Sequence, residues 1–276
     1  MKEIKKRSIF APAKGEMAEW SIAAVLKTVE GNTSGGSNPS LSAKNSHNNC
    51  CGIFYFSCYS NSSYFCNMNI IQCLQWRYAT KRFDADKIIP QEKINTIKEA
   101  FNLTATSYGL QPIKLLIIKD KTIREQLLEH TYNQPQILQA SHLLVFCVET
   151  SIDKDYIVAY FDRVKEIRKT DESILKPYRD FLVNDFESRS QEYIEAWATK
   201  QAYLAMGNLL TVCAMEGIDS LPMEGFKPNL YDEVLKLKEK GLKSVLIMPI
   251  GYRAEDDMFS EFKKVRKTVA ESTLEL

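Results

Sequence analysis

The stretch EYIEAWATKQAYLAMGNLLTVCAMEG, Glu192 to Gly217, constrains the fold more than any other part of the chain. Beyond its first turns nearly every side of the helix it implies carries an apolar or small residue, which predicts burial all round. Gly217 is placed to end it. Such a helix needs layers to bury it, and three short apolar runs are available: KLLIIK (Lys114–Lys119), HLLVFCV (His142–Val148) and SVLIMPIGY (Ser244–Tyr252). Each is too short for a typical helix and is bounded by polar or turn residues, so each is predicted as a buried strand. Further helices are predicted after Pro90, over QEKINTIKEAFNL, around Thr122–Tyr132, and through the charged region Ile152–Arg189. A short amphipathic helix precedes them, with Ile70, Ile71 and Leu74 on one side. Helices alternating with strands give an α/β or α+β domain without internal repeats.

Composition narrows the function. With 45% hydrophobic and 26% charged residues the 276-residue chain reads as soluble and globular. A formal net charge of +1 gives no nucleic-acid footprint. No apolar run approaches the roughly 18 residues of a membrane span. Cys50, Cys51, Cys58 and Cys66 crowd one stretch without the paired spacing of a zinc site, so no metal is expected. Cys73, Cys147 and Cys213 lie in apolar runs and read as small hydrophobes, which points to a reducing, cytoplasmic compartment.

Residues 1–67 differ in character, with neither helical periodicity nor strand alternation. Gly36-Ser37-Asn38-Pro39 back-translates to GGT-TCG-AAT-CCC, which contains a transfer-RNA T-arm sequence. Ala18-Glu19-Trp20-Ser21 and Val25-Leu26-Lys27-Thr28 can encode the matching D-arm and anticodon segments, in the same order. Met17 to about Ala43 is therefore read as a conceptual translation across a tRNA gene, with intergenic sequence to Asn67. The rival reading is a genuine disordered or membrane-associating tail. On the first reading the working domain is 68–276.

Within it there is no GxGxxG turn, P-loop, GxSxG elbow or HExxH helix. His142, at a strand start, reads as structural. Two cation clusters remain: Arg77, Lys81 and Arg82 in RYATKR, and Lys263, Lys264, Arg266 and Lys267 in KKVRK. Arg77 and Lys81 are four apart and would share a face if the first helix continues. The clusters read either as solvated surface charge or, if the fold joins the ends, as a phosphate grip. LPMEGFKP (Leu221–Pro228) is either a packed connector or a loop in which Gly225 lets backbone approach a flat ligand.

Six segments in order, RYATKRFD, SYGLQPIKLLII, ASHLLVFC, WATKQAYLAMGNLL, GIDSLPMEGF and KEKGLKSVLIMPIGYRAEDD, resemble the nitroreductase family of flavin-dependent NAD(P)H oxidoreductases. The likeness is to the branch of oxygen-insensitive nitroreductases and dihydropteridine reductases, and runs from Met68 almost to the last residue. It implies an α+β fold, a central mostly antiparallel sheet flanked by helices, and an intertwined homodimer with FMN at the interface. Arg77, Lys264 and Arg266 are expected at the FMN phosphate, with Tyr78 and Ala79 alongside. Lys81 is expected near the flavin N1–C2 carbonyl edge, where reduced flavin gathers negative charge. The loop bearing Ser107, Gly109 and Gln111 is expected on the pyrimidine side, and Pro222, Glu224 and Gly225 at N5. Ala79 replaces a serine frequent in the family, and SYGLQPIK departs from SxxNxQPW. The reaction implied is ping-pong: hydride from NADH or NADPH to FMN, then to a nitroaromatic, quinone or pteridine. The flavin carries the chemistry, so no catalytic side chain is expected. An FMN-binding module without turnover, or another flavin reaction on the same scaffold, are the alternatives.

Overall fold

The computed structural model describes residues 68–276; the tRNA-derived reading of 1–67 lies outside the described residues. Four strands form one antiparallel sheet in the order β1-β2-β4-β3: β1 Ile113–Ile118, β2 His142–Glu149, β3 Asp219–Ser220 and β4 Leu242–Gly251. The three long strands are the three apolar runs. Strand β2 lies between β1 and β4, with Leu115, Phe146 and Leu246 in register. Residues 142–148 are all buried, which accounts for a run without polar alternation.

Both faces of the sheet are covered. Leu144, Phe146, Val148, Leu246, Met248 and Ile250 pack toward α2 (Gln91–Asn102), α5 (Lys154–Arg168), α6 (Glu172–Glu187) and α7 (Gln191–Met215). Leu143, Val145, Cys147 and Ile247 face the other way, toward α3 (Lys121–Leu128), α4 (Gln136–Gln139) and α8 (Pro228–Val234). The period of two along β2 assigns its residues to these layers. Cys73, Cys147 and Cys213 are free and buried.

The charged region divides into α5 and α6 at Lys169, whose φ of +55° ends α5 in a left-handed cap. Helix α7 starts on Ser190, whose hydroxyl accepts from the Tyr193 N–H, and stops at Gly217, φ +65°. There the Ile218 N–H returns to the Cys213 carbonyl, 2.7 Å away. Ala198, Ala202, Ala205, Leu209 and Cys213 form its buried stripe. The expectation of burial all round fails on the opposite side, where Tyr203, Leu204, Gly207 and Met215 are exposed. The amphipathic helix α1 (Ile70–Trp76) behaves likewise: Cys73 is buried, while Ile70, Ile71 and Leu74 are open to solvent. These apolar residues exceed what the fold of one chain uses.

The beginning and end of the domain are joined beyond the sheet. Asp84 N–H donates to the Tyr252 carbonyl (2.8 Å) and Ala254 N–H to the Arg82 carbonyl (3.0 Å). Phe83 inserts beneath Gly251, where an added Cβ would stand 2.9 Å from its ring and 3.1 Å from the Ser141 nitrogen. Only glycine permits that approach.

His142 is structural, as expected. Its Nδ1 lies 2.8 Å from Ser141 Oγ, which also accepts from the Ile89 N–H. Burial, followed by nearby Lys119 and Arg124, pushes its pKa down to about 4 from an ordinary 6.5. Between those values the unfolded chain binds the proton and the folded one does not, so stability is retained above pH 6.5 and lost as pH falls toward 4. Urea midpoints measured across that interval should decline in the wild type, and His142→Gln should flatten the decline.

Candidate functional site

Helix α1 ends at Trp76, and Arg77 takes extended angles (φ −67°, ψ 143°). The shared helical face expected for Arg77 and Lys81 therefore does not exist. The reason is competition from better partners: Thr80 N–H reaches the Ser220 carbonyl (3.5 Å), and Lys81 and Arg82 N–H donate to Asp257 Oδ2 at 2.9 and 3.0 Å. Tyr78 OH donates to the same oxygen at 2.8 Å. Asp257 thus gathers three donors from one short segment and holds it extended. These bonds, though opposed by burial, leave its carboxyl below the usual range.

Asp219 does the same for the returning chain. Its carboxylate is 3% exposed and accepts from Arg253 N–H (2.8 Å), Nε (2.9 Å) and Nη2 (2.6 Å). The Arg253 guanidinium also lies over the rings of Trp76 (4.3 Å) and Tyr78 (4.6 Å). Two carboxylates therefore bind the start of the domain to its end.

The result is a gathering of cations. Lys264 Nζ donates to the Arg77 carbonyl oxygen, and burial followed by the charges of Arg77, Arg266 and Arg253 lowers its pKa. The Arg77 guanidinium is lowered by burial and by Arg266. Among the described residues, Arg266 Nη1 reaches only its neighbour's carbonyl, that of Val265, at 2.7 Å. No carboxylate pairs with any of the three among the described residues. Arg77 Nε is buried and donates to no group among the described residues. Buried donors are normally paired, so mutually repelling cations around an unfilled one fit a multivalent anion such as a phosphate. Ala79 is bridged to Ser220 and brings no hydroxyl to the group.

A second donor group lies along the edge of β4. Met223 N–H and C=O both pair with Ile247, at 2.9 and 3.1 Å, and the Glu224 carbonyl accepts from Phe226 N–H at 2.9 Å. A trans peptide sends its C=O and N–H in opposite directions, so the N–H groups of Glu224 and Gly225 are turned away from those partners. Neither donates to a protein group among the described residues. Pro222, half-buried, leads into this turn. Adjacent unpartnered N–H groups suit an acceptor atom on a flat ligand.

Between the two groups runs a loop that sequence reasoning missed. Tyr132 and Asn133 both have positive φ, +54° and +55°. Gln136 Nε2 donates to the Lys81 carbonyl (2.9 Å) while its Oε1 is buried and unpartnered. Gln134 Nε2 donates to the Gly225 carbonyl (3.1 Å). Consecutive strained residues gather at functional sites, and the one sequence signal was Asn133, a residue tolerant of left-handed angles. The side chain of Lys81 is exposed beside this loop.

Ser107, Gly109 and Gln111 stand apart. Ser107 N–H donates to Gln201 Oε1 on α7 (2.9 Å), and Gln111 Nε2 to the Asn102 carbonyl (2.9 Å). Tyr108, Gly109 and Gln111 all have positive φ. A Cβ on Gly109 would stand 2.6 Å from the Tyr160 hydroxyl, so α5 clamps the turn. No hydrogen bond or ion pair joins these residues to the Arg77 group among the described residues. No cluster of potential metal ligands occurs among the described residues.

The family model described as "Nitroreductase family" matches residues 74–252. The major NAD(P)H-flavin oxidoreductase of Aliivibrio fischeri is 32% identical over 205 residues, covering 72% of this chain and 94% of that one. The oxygen-insensitive NAD(P)H nitroreductase of Salmonella typhimurium is 30% identical over 212 residues, covering 72% and 95%. In fold, the chain matches the crystal structure of an Exiguobacterium sibiricum protein in complex with FMN, with TM-score 0.65 and 16% identity over 76% of this chain and 98% of that one. By the family model and these two relatives, the chain belongs to the nitroreductase family.

Proposed function

We propose that the chain is an FMN-dependent NAD(P)H oxidoreductase in which Arg77, Lys264 and Arg266 hold the FMN phosphate. Family membership, with relatives named for NAD(P)H and flavin, supports the cofactor and the hydride donor. The observation that carries the placement is the buried, unpartnered Arg77 Nε among cations that lack a carboxylate. Bound FMN supplies a hydride-accepting nitrogen, N5, and a reduced form that passes hydride to a second substrate. The chain supplies the surroundings. Tyr78 and Asp257 hold the Arg77 segment extended, Lys81 adds a positive charge beside the ring edge that becomes negative, and the Glu224 and Gly225 N–H groups face N5.

The electron acceptors are planar: nitroaromatics, quinones or pteridines. Supporting this, Tyr178 and Phe181 on α6 are partly exposed and stacked, with centroids 6.2 Å apart and planes 12° apart. Tyr108, from the Ser107–Gln111 turn, contacts Phe186 and Trp197, which adds a second group of rings. One site serving donor and acceptor in turn gives ping-pong kinetics.

The functional unit is a homodimer. In its support, the exposed face of α7 carries Leu204, Gly207 and Met215, and α1 adds Ile70 and Ile71. A glycine inside a helix costs roughly 1 kcal/mol relative to alanine, yet a Cβ at Gly207 would meet nothing within 4 Å among the described residues. Close approach of a second copy explains it. The separation of Ser107–Gln111 from the Arg77 group is then natural, because the turn serves the partner's cofactor. No helix among the described residues is long and apolar enough to cross a membrane. The buried free cysteines accord with the cytoplasmic placement read from the sequence.

An anaerobic titration tests the function: the FMN-loaded protein should bleach near 450 nm with NADH or NADPH and recover with a quinone, a wavelength belonging to flavins generally. Colour without bleaching would leave a binding module. Arg77→Ala or Arg266→Ala should weaken FMN retention by about 1.5–3 kcal/mol, the value of a charge-assisted hydrogen bond, in fluorescence release assays. Gly207→Leu should leave helix content intact but shift sedimentation toward monomer, with loss of FMN. A dimer of unchanged affinity would refute the α7 interface.

A further inference from the structure

The turn that offers the Glu224 and Gly225 N–H groups is poorly anchored by packing. Met223 and Phe226 are buried, but the two residues between them are exposed. A Cβ on Gly225 would find only Gln134 Nε2, at 3.5 Å. Yet a donor pair facing one atom must keep its direction to within a few tenths of an ångström to be useful.

Two side chains from outside the turn supply that restraint. Tyr203, on the exposed face of α7, donates its hydroxyl to Glu224 Oε1 at 2.6 Å. Gln134 donates Nε2 to the Gly225 carbonyl and to the Thr131 carbonyl, both at 3.1 Å. The bonds act on opposite parts of the dipeptide, one on the Glu224 side chain and one on the Gly225 backbone. Within one protomer both bonds lie at the surface, where such a bond contributes little to folding stability. Tyr203 is 47% exposed, and its pKa is raised chiefly by its bond to Glu224. Gln134 directly follows the two left-handed residues Tyr132 and Asn133, so backbone strain is maintained where it delivers this side chain.

We propose that Tyr203 and Gln134 are positioning residues for hydride transfer: from two sides they fix the Glu224–Gly225 dipeptide so that its N–H groups keep their aim. Neither needs to touch the cofactor. The proposal rests on the reading that this dipeptide faces FMN, and the test separates the two.

Tyr203→Phe removes a single oxygen and no packing. In the dimeric, FMN-loaded protein, amide hydrogen exchange across residues 222–227 should accelerate about 5- to 10-fold, with melting temperature and FMN affinity unchanged. Flavin bleaching at saturating NADPH should slow by about the same factor, while KM for NADPH stays within about twofold. Glu224→Gln keeps an acceptor for the hydroxyl and should retain most of the rate. Glu224→Ala should match Tyr203→Phe, and the double variant should be no slower than either, because both remove one interaction. Gln134→Leu, acting through the Gly225 carbonyl, should change exchange and rate in the same direction. Unchanged exchange in both Tyr203→Phe and Gln134→Leu overturns the proposal, as does a rate loss that merely tracks lost dimer or lowered melting temperature. Should the wild-type protein take up no FMN, the flavin reading fails, and exchange across 222–227 still decides whether the clamp exists.

Discussion

Like charges do not assemble unaided, and that constraint organises this domain. Arg77, Lys264 and Arg266 come from segments 187 residues apart in the case of the Lys264–Arg77 bond, and each raises the electrostatic cost of the others. Two aspartates, neither of which binds those cations directly, meet that cost. Asp257 secures the first segment through backbone and tyrosine donors, and Asp219 secures the second through Arg253. Carboxylates that bind the flanking residues, and not the cations themselves, leave the charge of the cluster unneutralised. Mixing them into the cluster would have neutralised the field that an anion needs.

The sheet and the long helix were legible because burial leaves a dense record in sequence. All of 142–148 is buried, and an uninterrupted apolar run is the direct expression of a strand covered on both faces. Helix α7 was legible for the same reason, although its apolar surplus was assigned to one chain's interior and instead leaves a bare face. Periodicity reports that a side is apolar; it does not report which molecule covers it.

Less legible were features set by long-range partners. Trp76 ends α1 because Asp257, far along the chain, outbids the next helical turn for N–H groups, and nothing local in RYATKR reveals this. Strand β3 has two residues, too few for any pattern. The turn at Tyr132 and Asn133 is defined by backbone angles that sequence hints at only through asparagine. The nearness of the two cation clusters was stated as a condition on the fold, and it is met by pairing of segments 82–84 and 252–254.

The junction at Phe83 and Gly251 has a further consequence. Phe83, the Asp219–Arg253 ion pair and a handful of hydrogen bonds connect the cation-bearing segments to the core. Such a periphery can open as its own cooperative unit while the sheet stays intact. Occupancy by a tightly held anion would then stabilise that unit selectively, making the cofactor a structural rivet for the region that binds it.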